Sequence, residues 1–511
     1  MLSAAAAVQR IPIFGRMLSV DESTGLEEIN GWPGLIVMTS LVWLVVAVLI
    51  GLTMPAIQLF ELNTNWFYAA ITLHGAALAF PFAFQLMVGV SLHRAGGCRG
   101  ASVSGPLTAL FYIGMNGGAL LFTIAVLSGL KISYAVMYPL PLVGAELGQW
   151  SMEVVVLGFT GLAMVLSSMI LFYPLKVIRM LFFEKQREDL LLSPRSLKDP
   201  GMVGMTMAVL VLLITGTPLI IVAGTALLGL YGVLPMASIT WATDPVVFQY
   251  SFYIFAHNLM EAMAIMVISA DYATLPLYLA DGTRELYSNR LANAALWILL
   301  LTSVTSFFHH FFNMYPSQPA ALAYHGNFMS FATGIGAAFS IFTILATIWK
   351  HGLKPEPGMM AILMGFVVYI LDGASAIVIS NIAVNTQLHG TMAIAGHTMN
   401  VLIAISFIWM GVLYHHYPVI TGRKLDRKLG NRFVTLSTVG AIGLLYTFLA
   451  AGAAGMPRRF ADWGQNGWML YGLLIVVFGT ILLAGFATYL YNLLKSREIG
   501  KPSAEPMPAL G

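Results

Sequence analysis

The 511-residue chain has very little charge, since Asp, Glu, Lys and Arg together make up only 9% of it. Hydrophobic residues make up 58%, and the mean hydropathy is +0.82. A soluble domain of this length needs far more charge to cover its surface, so the composition excludes an ordinary soluble protein. The net charge of only +3 also gives no reason to expect a nucleic-acid partner.

Cysteine is nearly missing as well, because Cys98 is the only one in the chain. A single thiol excludes an internal disulfide and any metal site that needs two cysteines. The N-terminus also lacks the pattern of a cleaved signal peptide, because Asp21, Glu22, Glu27 and Glu28 precede the first apolar run. We therefore expect that first run to stay in the membrane.

Long apolar runs are what the sequence has instead, and each can cross a hydrocarbon core of about 30 Å. Twelve such runs lie at residues 34–54, 66–92, 105–130, 151–173, 204–230, 246–270, 293–313, 327–348, 358–384, 387–413, 433–453 and 466–492. We predict an all-α membrane protein with twelve transmembrane helices. Its membrane domain at 34–492 is flanked by a cytoplasmic N-terminal segment at 1–33 and a cytoplasmic tail at 493–511.

The basic residues are distributed unevenly between the two sides of these helices. When the connecting segments are assigned to alternate sides, all but three of the 25 Lys and Arg residues fall on the side that holds both termini. The exceptions are Lys131, Arg458 and Arg459. Cytoplasmic loops are enriched in Lys and Arg, so we predict that both termini are cytoplasmic and that the protein lies in the inner membrane.

Histidines within the predicted spans converge on one depth of the membrane. His74, His257 and His397, on helices 2, 6 and 10, lie roughly 12–16 Å below the outer surface at 1.5 Å per residue, and a pair at the end of helix 7 approaches the same layer from below. The set consists of His74, His257, His309, His310, and, both on helix 10, His389 and His397. Hydrogen-bonded core histidines explain one or two such residues but not five or six at one level, so the pattern favours metal or haem ligation on the outer side.

Four motifs around these residues resemble the catalytic subunit, subunit I, of the haem-copper oxidase superfamily, which includes oxygen reductases and nitric oxide reductases. They are LHGAALAFPF in helix 2, FFHHFF at the end of helix 7, LHGTMAIAGHTMN in helix 10 and GMPRRFADW between helices 11 and 12. Each motif alone is weak, but their order, topology and depth match across all twelve helices. A further segment, YHHYPVITGRKL, is similar to the divergent members of the superfamily.

The resemblance implies two haems, one low-spin and one high-spin, and a non-haem metal ion that is copper or iron. It assigns His74 to the low-spin haem, and His397 to the high-spin haem of the active site with His389 near its propionates. The histidines that it assigns to the non-haem metal are His257, His309 and His310. The arginine pair that it assigns to haem propionates is Arg458 and Arg459, which explains why arginine occurs on the outer side.

The first departure from the common family pattern is on helix 6, where Glu261 follows His257 by four residues and so lies one turn away on the same face. The resemblance places a tyrosine here in the commonest oxygen reductases and a glutamate in nitric oxide reductases. A further oxidase class takes its tyrosine from a helix-7 position that is Ser303 here. We expect Glu261 to be a fourth ligand of the non-haem metal, whose charge offsets the cost of burying a carboxylate. The alternative is a protonated carboxylic acid bonded to the helix backbone, and a proton-relay role fits both.

The second departure is on helix 10, where the family's His-X-His pattern becomes His397 followed by Met399. Residues two apart on a helix point about 200° apart, so one helix can hold a haem on each side. Methionine is a competent axial ligand and generally raises the haem potential. We expect Met399 to ligate the low-spin haem opposite His74, although simple packing is the alternative for one of 29 methionines.

The family's lysine-bearing proton path has no counterpart, because Gly336 occupies the position of that lysine on helix 8. Asp372 on helix 9 is a candidate for a proton or polar role, with a local hydrogen bond as the simpler interpretation.

These features together predict a nitric oxide reductase, which converts two NO, two electrons and two protons to N2O and water at a haem and non-haem metal pair fed by the low-spin haem. The alternatives are a divergent terminal oxygen reductase that works without the tyrosine, a nitric oxide dismutase relative, and, outside enzymes, a haem-free transporter. The chain lacks the cysteines for a dinuclear copper centre or covalent haem, so electrons must come from a partner subunit that carries one of these, a soluble cytochrome or cupredoxin, or quinol.

Overall fold

The computed structural model describes residues 27–60, 62, 64–99, 103–132, 150–182, 199–312, 318–463 and 467–498. Most of the predicted segment 1–33 and of the predicted tail 493–511 therefore lies outside the described residues. Within them, twelve helices are long and apolar enough to cross a membrane, which confirms the predicted number. They are α1 (Gly31–Phe60), α2 (Asn65–Gly96), α3 (Pro106–Leu127), α4 (Met152–Leu181), α5 (Pro200–Leu230), α6 (Pro245–Tyr278), α7 (Asn289–Phe311), α8 (Ala320–His351), α9 (Pro357–Ile379), α10 (Met392–Pro418), α11 (Arg427–Ala453) and α12 (Met469–Leu494).

Local sequence sets where several of these helices begin. α5 and α6 each start at a proline that follows an aspartate, and the side chains of Asp199 and Asp244 accept hydrogen bonds from the first free backbone N–H groups. Proline suits the first helical position because its missing N–H has no intrahelical partner there, and aspartate is a preferred cap. Consecutive helices then pack against each other, with α3 on α4, α5 on α6, α7 on α8 and α11 on α12. A short antiparallel pair, β1 (Arg423–Lys424) and β2 (Arg497–Glu498), joins the ends of α10 and α12.

Several helices depart from regular α-geometry close to the histidines. α2 contains a π-helical segment, Leu78–Phe84, with Pro81 inside it. Proline removes a backbone donor and clashes with the preceding turn, which favours such an irregularity. α7 ends in a 3-10 segment, Phe307–Phe311, which contains both His309 and His310. Irregular segments of these kinds are frequent at functional sites.

The predicted boundary between helices 9 and 10 is wrong. α9 ends at Ile379, a separate short helix spans Ile382–Leu388, and α10 begins at Met392. The apolar run continues through this region, but Asn381 and Thr391 cap the two new helix starts by accepting hydrogen bonds from backbone N–H groups. The sequence predicted that His389 lies on helix 10. In the structure it instead follows the short helix and precedes α10. The end of α6 also differs from the prediction. The helix continues past residue 270, where the predicted span ends, and includes the buried Asp271.

The predicted ligands gather at one end of the bundle, called here the histidine end. It is the end at which α2, α6 and α10 begin and α7 finishes. The opposite end, at which α2, α6 and α10 finish, is called the far end, and the charge distribution predicts that it is cytoplasmic.

Candidate metal and haem site

Three histidines from two helices form a group that can hold a metal ion. His257 of α6, His309 and His310 each offer one nitrogen, and these nitrogens all lie within 4.8 Å of one another. The ring centroids are 4.8 Å apart for His257 and His309, 5.4 Å for His257 and His310, and 4.4 Å for His309 and His310. Imidazole nitrogens suit copper, iron and zinc, so the donor set fits the predicted non-haem metal.

The neighbouring helix α8 sets the position of His309. A Cβ atom added to Gly326 would lie 2.6 Å from His309 N, so only glycine permits this approach of the two backbones. The Ser330 hydroxyl donates to Gly326 O at 2.7 Å and lies 2.8 Å from His309 Nδ1. Because the hydroxyl hydrogen is already used, Ser330 Oγ accepts from His309 Nδ1–H, which leaves the Nε2 lone pair for a metal.

Glu261 lies beside this group but outside it. Its Oε1 is 3.7 Å from His257 Nε2, and the same nitrogen shares a 2.7 Å hydrogen bond with Ser306 Oγ. Among the described residues the set of mutually close ligand atoms comprises the three histidines alone. The structure therefore brings Glu261 to the site, as predicted, and its role as a fourth ligand stays a prediction.

His397 is held by a carboxylate that the sequence did not link to it. Its Nδ1 donates to Asp372 Oδ2 at 3.0 Å, and the Asp372 side chain on α9 is 1% exposed. This bond fixes the tautomer, orients the ring and leaves Nε2 as the free lone pair. About a third of the His397 side chain, 32%, remains accessible, so the arrangement fits axial ligation of a haem. Asp372 therefore forms a hydrogen bond, as the simpler interpretation expected. Its partner is His397 on the next long helix, the predicted haem ligand.

His74 on α2 has the same arrangement with a backbone acceptor. Its Nδ1 donates to Ala47 O on α1 at 2.9 Å, which leaves Nε2 for an iron. A Cβ atom added to Gly51 would lie 2.6 Å from His74 Cε1, so α1 approaches the ring closely only because residue 51 is glycine. The orientation fits the predicted low-spin haem ligand.

Met399 is partly buried on α10, and its ligation of the low-spin haem stays a prediction. Replacing Met399 by leucine is expected to leave that haem five-coordinate. Replacing it by histidine should keep six ligands, lower the haem potential and remove the weak far-red charge-transfer band that sulfur ligation of ferric haem produces. Optical spectra and redox titration of the purified variants measure all three changes. A wild-type spectrum without that band would exclude Met399 as a ligand.

The arginine pair and His389 meet in two loops at the histidine end. Arg458 N donates to Gly390 O at 3.0 Å, and Thr391 forms an isolated antiparallel bridge with Pro457. Burial lowers the pKa of Arg458, and it lowers the pKa of Arg459 to about 9. Burial and the charge of Arg458 both lower the pKa of His389. An anion bound here would offset the cost of burying these cations, so the loops fit the predicted propionate contacts.

The backbone of Arg459 supports the same interpretation. With a φ of 63°, it is the one non-glycine residue with positive φ in the described ranges. A left-handed conformation costs an L-residue roughly 1–2 kcal/mol, and such strain persists where the surrounding structure holds it for function.

Replacing Arg458 and Arg459 together by glutamine is expected to lower the low-spin haem potential and weaken haem retention, because reduction adds negative charge that the two cations stabilise. Charge-assisted hydrogen bonds are worth roughly 1.5–3 kcal/mol each. Redox titration and haem content measure the change. Lys131→Gln, which removes the third basic residue predicted on this side, is the matched control. Full haem content and unchanged potentials in the double variant would exclude the propionate role.

Tyr253 is the site residue that the sequence analysis missed. It lies on α6 one turn before His257, and its ring stacks on His310 with centroids 4.6 Å apart and an interplanar angle of 22°. It also interacts electrostatically with Arg458. The resemblance places the family's tyrosine at position 261 or 303, and these residues are Glu261 and Ser303 here. The same one-turn spacing, applied toward the N-terminus, would have found it.

Comparisons with known proteins agree with this architecture. A family model described as "Cytochrome C and Quinol oxidase polypeptide I" matches residues 34–482. The alternative cytochrome c oxidase subunit 1 of Bradyrhizobium diazoefficiens is 26% identical over 275 residues, which cover 51% of this chain and 44% of the relative. The cytochrome c oxidase subunit 1 of Thermostichus vulcanus is 20% identical over 459 residues, which cover 86% of this chain and 78% of the relative.

A solved structure of a haem-copper terminal oxidase dimer has the same fold. It superposes with a TM-score of 0.73 at 18% identity and covers 93% of this chain and 84% of that chain. Several curated relatives are matched over less than half of their length, as for the Bradyrhizobium protein and, at 43%, a probable cytochrome c oxidase subunit 1-alpha of Streptomyces avermitilis.

Fold and site together define an integral, multi-pass membrane protein with a three-histidine centre at one end of a twelve-helix bundle. The family model covers most of the chain, so the chain belongs to the cytochrome c and quinol oxidase polypeptide I family, which is subunit I of the haem-copper oxidase superfamily. Members of this family are oxidoreductase subunits that bind haems and a metal centre. The predicted resemblance and helix bundle are confirmed. The relatives are named as oxidases, which supports neither a nitric oxide reductase nor a haem-free transporter.

Proposed function

We propose that the chain is the catalytic subunit of a terminal oxygen reductase, which combines dioxygen with four electrons and four protons to give two waters. The contact of Tyr253 with His310 is the observation that carries this proposal. The nitric oxide reductase prediction rested on Glu261, four residues after His257, and on the absence of a tyrosine at positions 261 and 303. Tyr253 places a phenol against a predicted metal ligand from a third position, and this contact supports oxygen reduction.

The predicted ligands form three groups, one for the non-haem metal and one for each haem. His257, His309 and His310 hold copper or iron, His397 holds the high-spin haem, and His74 with Met399 holds the low-spin haem. Together the bound metal and haems supply electron transfer and Lewis-acid binding of the substrate. Asp372 orients His397, and the loop that carries Arg458 and Arg459 binds propionates.

Tyr253 and Glu261 lie on α6, one turn before and one turn after His257. The phenol of Tyr253, in ring contact with His310, can release a proton and an electron, and it would thereby provide one of the four electrons that cleavage of dioxygen requires. Glu261, 3.7 Å from His257 Nε2, can hold a proton for the same site.

Glu261 also favours a second candidate, the reduction of two NO with two electrons and two protons to N2O and water. The carboxylate occupies the position in which the resemblance places a glutamate in nitric oxide reductases, and it lies 3.7 Å from Nε2 of His257, one of the residues that would hold the metal. A nitric oxide dismutase relative is the third possibility, and no feature of the described residues favours it over the other two.

The electron donor and the orientation complete the proposal. Electrons come from a partner subunit with a dinuclear copper or cytochrome c centre, from a soluble cytochrome or cupredoxin, or from quinol. The chain lies in the cytoplasmic membrane with the histidine end outward and the far end facing the cytoplasm, as the distribution of Lys and Arg predicts.

Gas consumption by the purified protein tests the proposal. Metal analysis and a pyridine haemochrome spectrum first establish two haems and one copper or iron per chain. With an artificial electron donor, oxygen should then be consumed far faster than NO. The reverse order would establish the nitric oxide reductase, and a protein without a Soret band would contradict both.

A further inference from the structure

A second cluster of ionisable side chains lies at the far end of the bundle, away from the metal site. It consists of His93 at the end of α2, His415 and His416 near the end of α10, and Tyr278 at the end of α6. Tyr278 Oη and His415 Nδ1 share a 2.8 Å hydrogen bond. The ring centroids of His415 and His416 are 5.1 Å apart, and those of His416 and His93 are 5.4 Å apart. We call these four residues the far-end cluster.

Burial increases through the far-end cluster from Tyr278 and His415 to His416 and then His93. Tyr278 and His415 are partly buried, His416 is 5% exposed and His93 is 1% exposed. Neither ring nitrogen of His93, nor Nδ1 of His416, has a hydrogen-bond partner among the described residues. A buried polar group without a partner costs roughly 1–3 kcal/mol, so simple packing does not explain two such histidines.

A small cavity lies between α2, α5, α6 and α10, next to this cluster in sequence on α2 and α6. Its lining includes Arg94, which follows His93, and Trp409, and both have a buried N–H group without a partner in the described part of the chain. On α6 the lining residues lie between Met266 and Thr274. Met266 is five residues from Glu261, or roughly 7.5 Å along the helix. Most of the lining side chains are apolar, and the polar ones among them are Ser91, Arg94, Ser269, Thr274 and Trp409.

Asp271 lies on α6 within the same stretch. It is 2% exposed, and neither of its carboxyl oxygens has a partner among the described residues. Fourteen residues separate it from His257, which is close to four full turns, so the two side chains lie on the same face of α6 with Glu261 between them. Ionisable groups therefore mark α6 and its neighbours from the far end up to the metal site.

Metal binding does not explain the far-end cluster. The one group of three or more ligand atoms found among the described residues is the group at the histidine end, so the nitrogens of His93, His415 and His416 do not converge on a common point. A row of buried histidines, a tyrosine and a carboxylate that does not form a metal cage is instead typical of proton relays within membranes.

We propose that the far-end cluster is a proton-entry site, which takes protons from the far side of the membrane and passes them by way of Asp271 toward Glu261. The inference rests on the proposed function, because reduction of dioxygen or NO consumes protons at a buried site. The family's lysine-bearing proton path is missing here, because Gly336 occupies the position of that lysine on α8, and the far-end cluster would provide another path. Each histidine accepts a proton on one nitrogen and releases one from the other, so the relay leaves no net change in the cluster.

Single replacements within the cluster test this route. His93→Phe and His416→Phe keep an aromatic ring in each site and remove its titratable nitrogens. His415→Ala removes the partly accessible member and leaves room for free imidazole. The matched control is His351→Phe, at the end of α8, whose Nδ1 is bonded to Asp281 Oδ2 at 2.7 Å outside the cluster. Each holoenzyme is reconstituted in vesicles, and gas consumption and proton uptake from each side are recorded with a pH-sensitive dye.

Loss of a proton route should slow turnover by about tenfold or more, since positioned proton transfer contributes on the order of 10²–10⁴. We expect this in all three cluster variants, with both haems and the non-haem metal retained, and no change in His351→Phe. Imidazole added on the far side should restore much of the rate of His415→Ala, which a purely structural defect would not allow.

Three results would overturn the inference. If the wild-type protein is active and the cluster variants turn over at the same rate, the route is excluded and the proposed function stands. The same conclusion follows if imidazole does not restore the rate of His415→Ala. Wild-type protein that consumes neither oxygen nor NO would overturn the proposed function and the proton route together.

Discussion

Replacing His257, His309 or His310 by alanine is expected to abolish turnover while both haems stay bound. The three nitrogens lie within 4.8 Å of one another, so each variant leaves the non-haem metal with at most two histidine ligands. Residues that act as one unit lose most of the activity when any member is removed, and we expect a loss on the order of a thousandfold or more. Gas consumption measures the activity, metal analysis the non-haem ion, and the haemochrome spectrum the haems.

His325→Gln is the matched control for these three variants. His325 is a partly buried histidine on α8 whose ring lies 5.9 Å from that of Phe308, and its Nε2 bonds to Thr305 Oγ1 at 2.9 Å. Glutamine can keep that bond, and the residue lies outside the three-histidine group. The ligand assignment would be wrong if one of the three alanine variants lost the low-spin haem and kept the non-haem metal.

Tyr253→Phe is expected to slow oxygen reduction by on the order of a hundredfold, because the variant keeps the ring stacked on His310 but loses the proton and electron of the phenol. Reduction of NO needs fewer electrons and should change little in the same variant. The ratio of the two rates, measured in one preparation, therefore separates the loss of the phenol from a general loss of structure.

Tyr250→Phe provides the comparison within the same helix. The ring of Tyr250 stacks on Phe311 with centroids 4.6 Å apart and also contacts Phe308, so this variant makes the same chemical change beside the metal histidines. It should keep the wild-type rate with oxygen. Equal losses in both tyrosine variants would indicate a packing effect, and an unchanged rate in Tyr253→Phe would remove the main support for oxygen reduction over NO reduction.

The fold could be predicted almost completely from the sequence, because a membrane imposes a simple rule. Each span must satisfy its own backbone groups and present about twenty apolar residues, so hydropathy alone gives the number and order of the helices. The rule fails where polarity does not mark a boundary. The predicted span of α6 stops at residue 270, but the helix continues through the buried Asp271. The apolar residues around Asn381 and Thr391 concealed two helix starts.

The candidate site was predictable where one residue type repeats at one depth, as for His257, His309 and His310. Partners drawn from distant helices were not, since nothing in the sequence connects Asp372 with His397, and only the packing of α9 on α10 brings them together. Tyr253 was missed for a different reason. The resemblance directed attention to the positions where relatives carry a tyrosine, whereas the physical requirement is only that a phenol reaches the metal ligands.

The approach of Gly326 to the backbone of His309 has a consequence for how this protein can diverge. Two main chains in contact set the height of a metal ligand, and no rotamer change nearby can adjust it. Most neighbours of the site can exchange one apolar side chain for another and repack, but a single methyl group at position 326 would displace the ligand itself. Sequence drift is therefore tolerated around the centre and forbidden at a position that has no side chain and carries no chemistry.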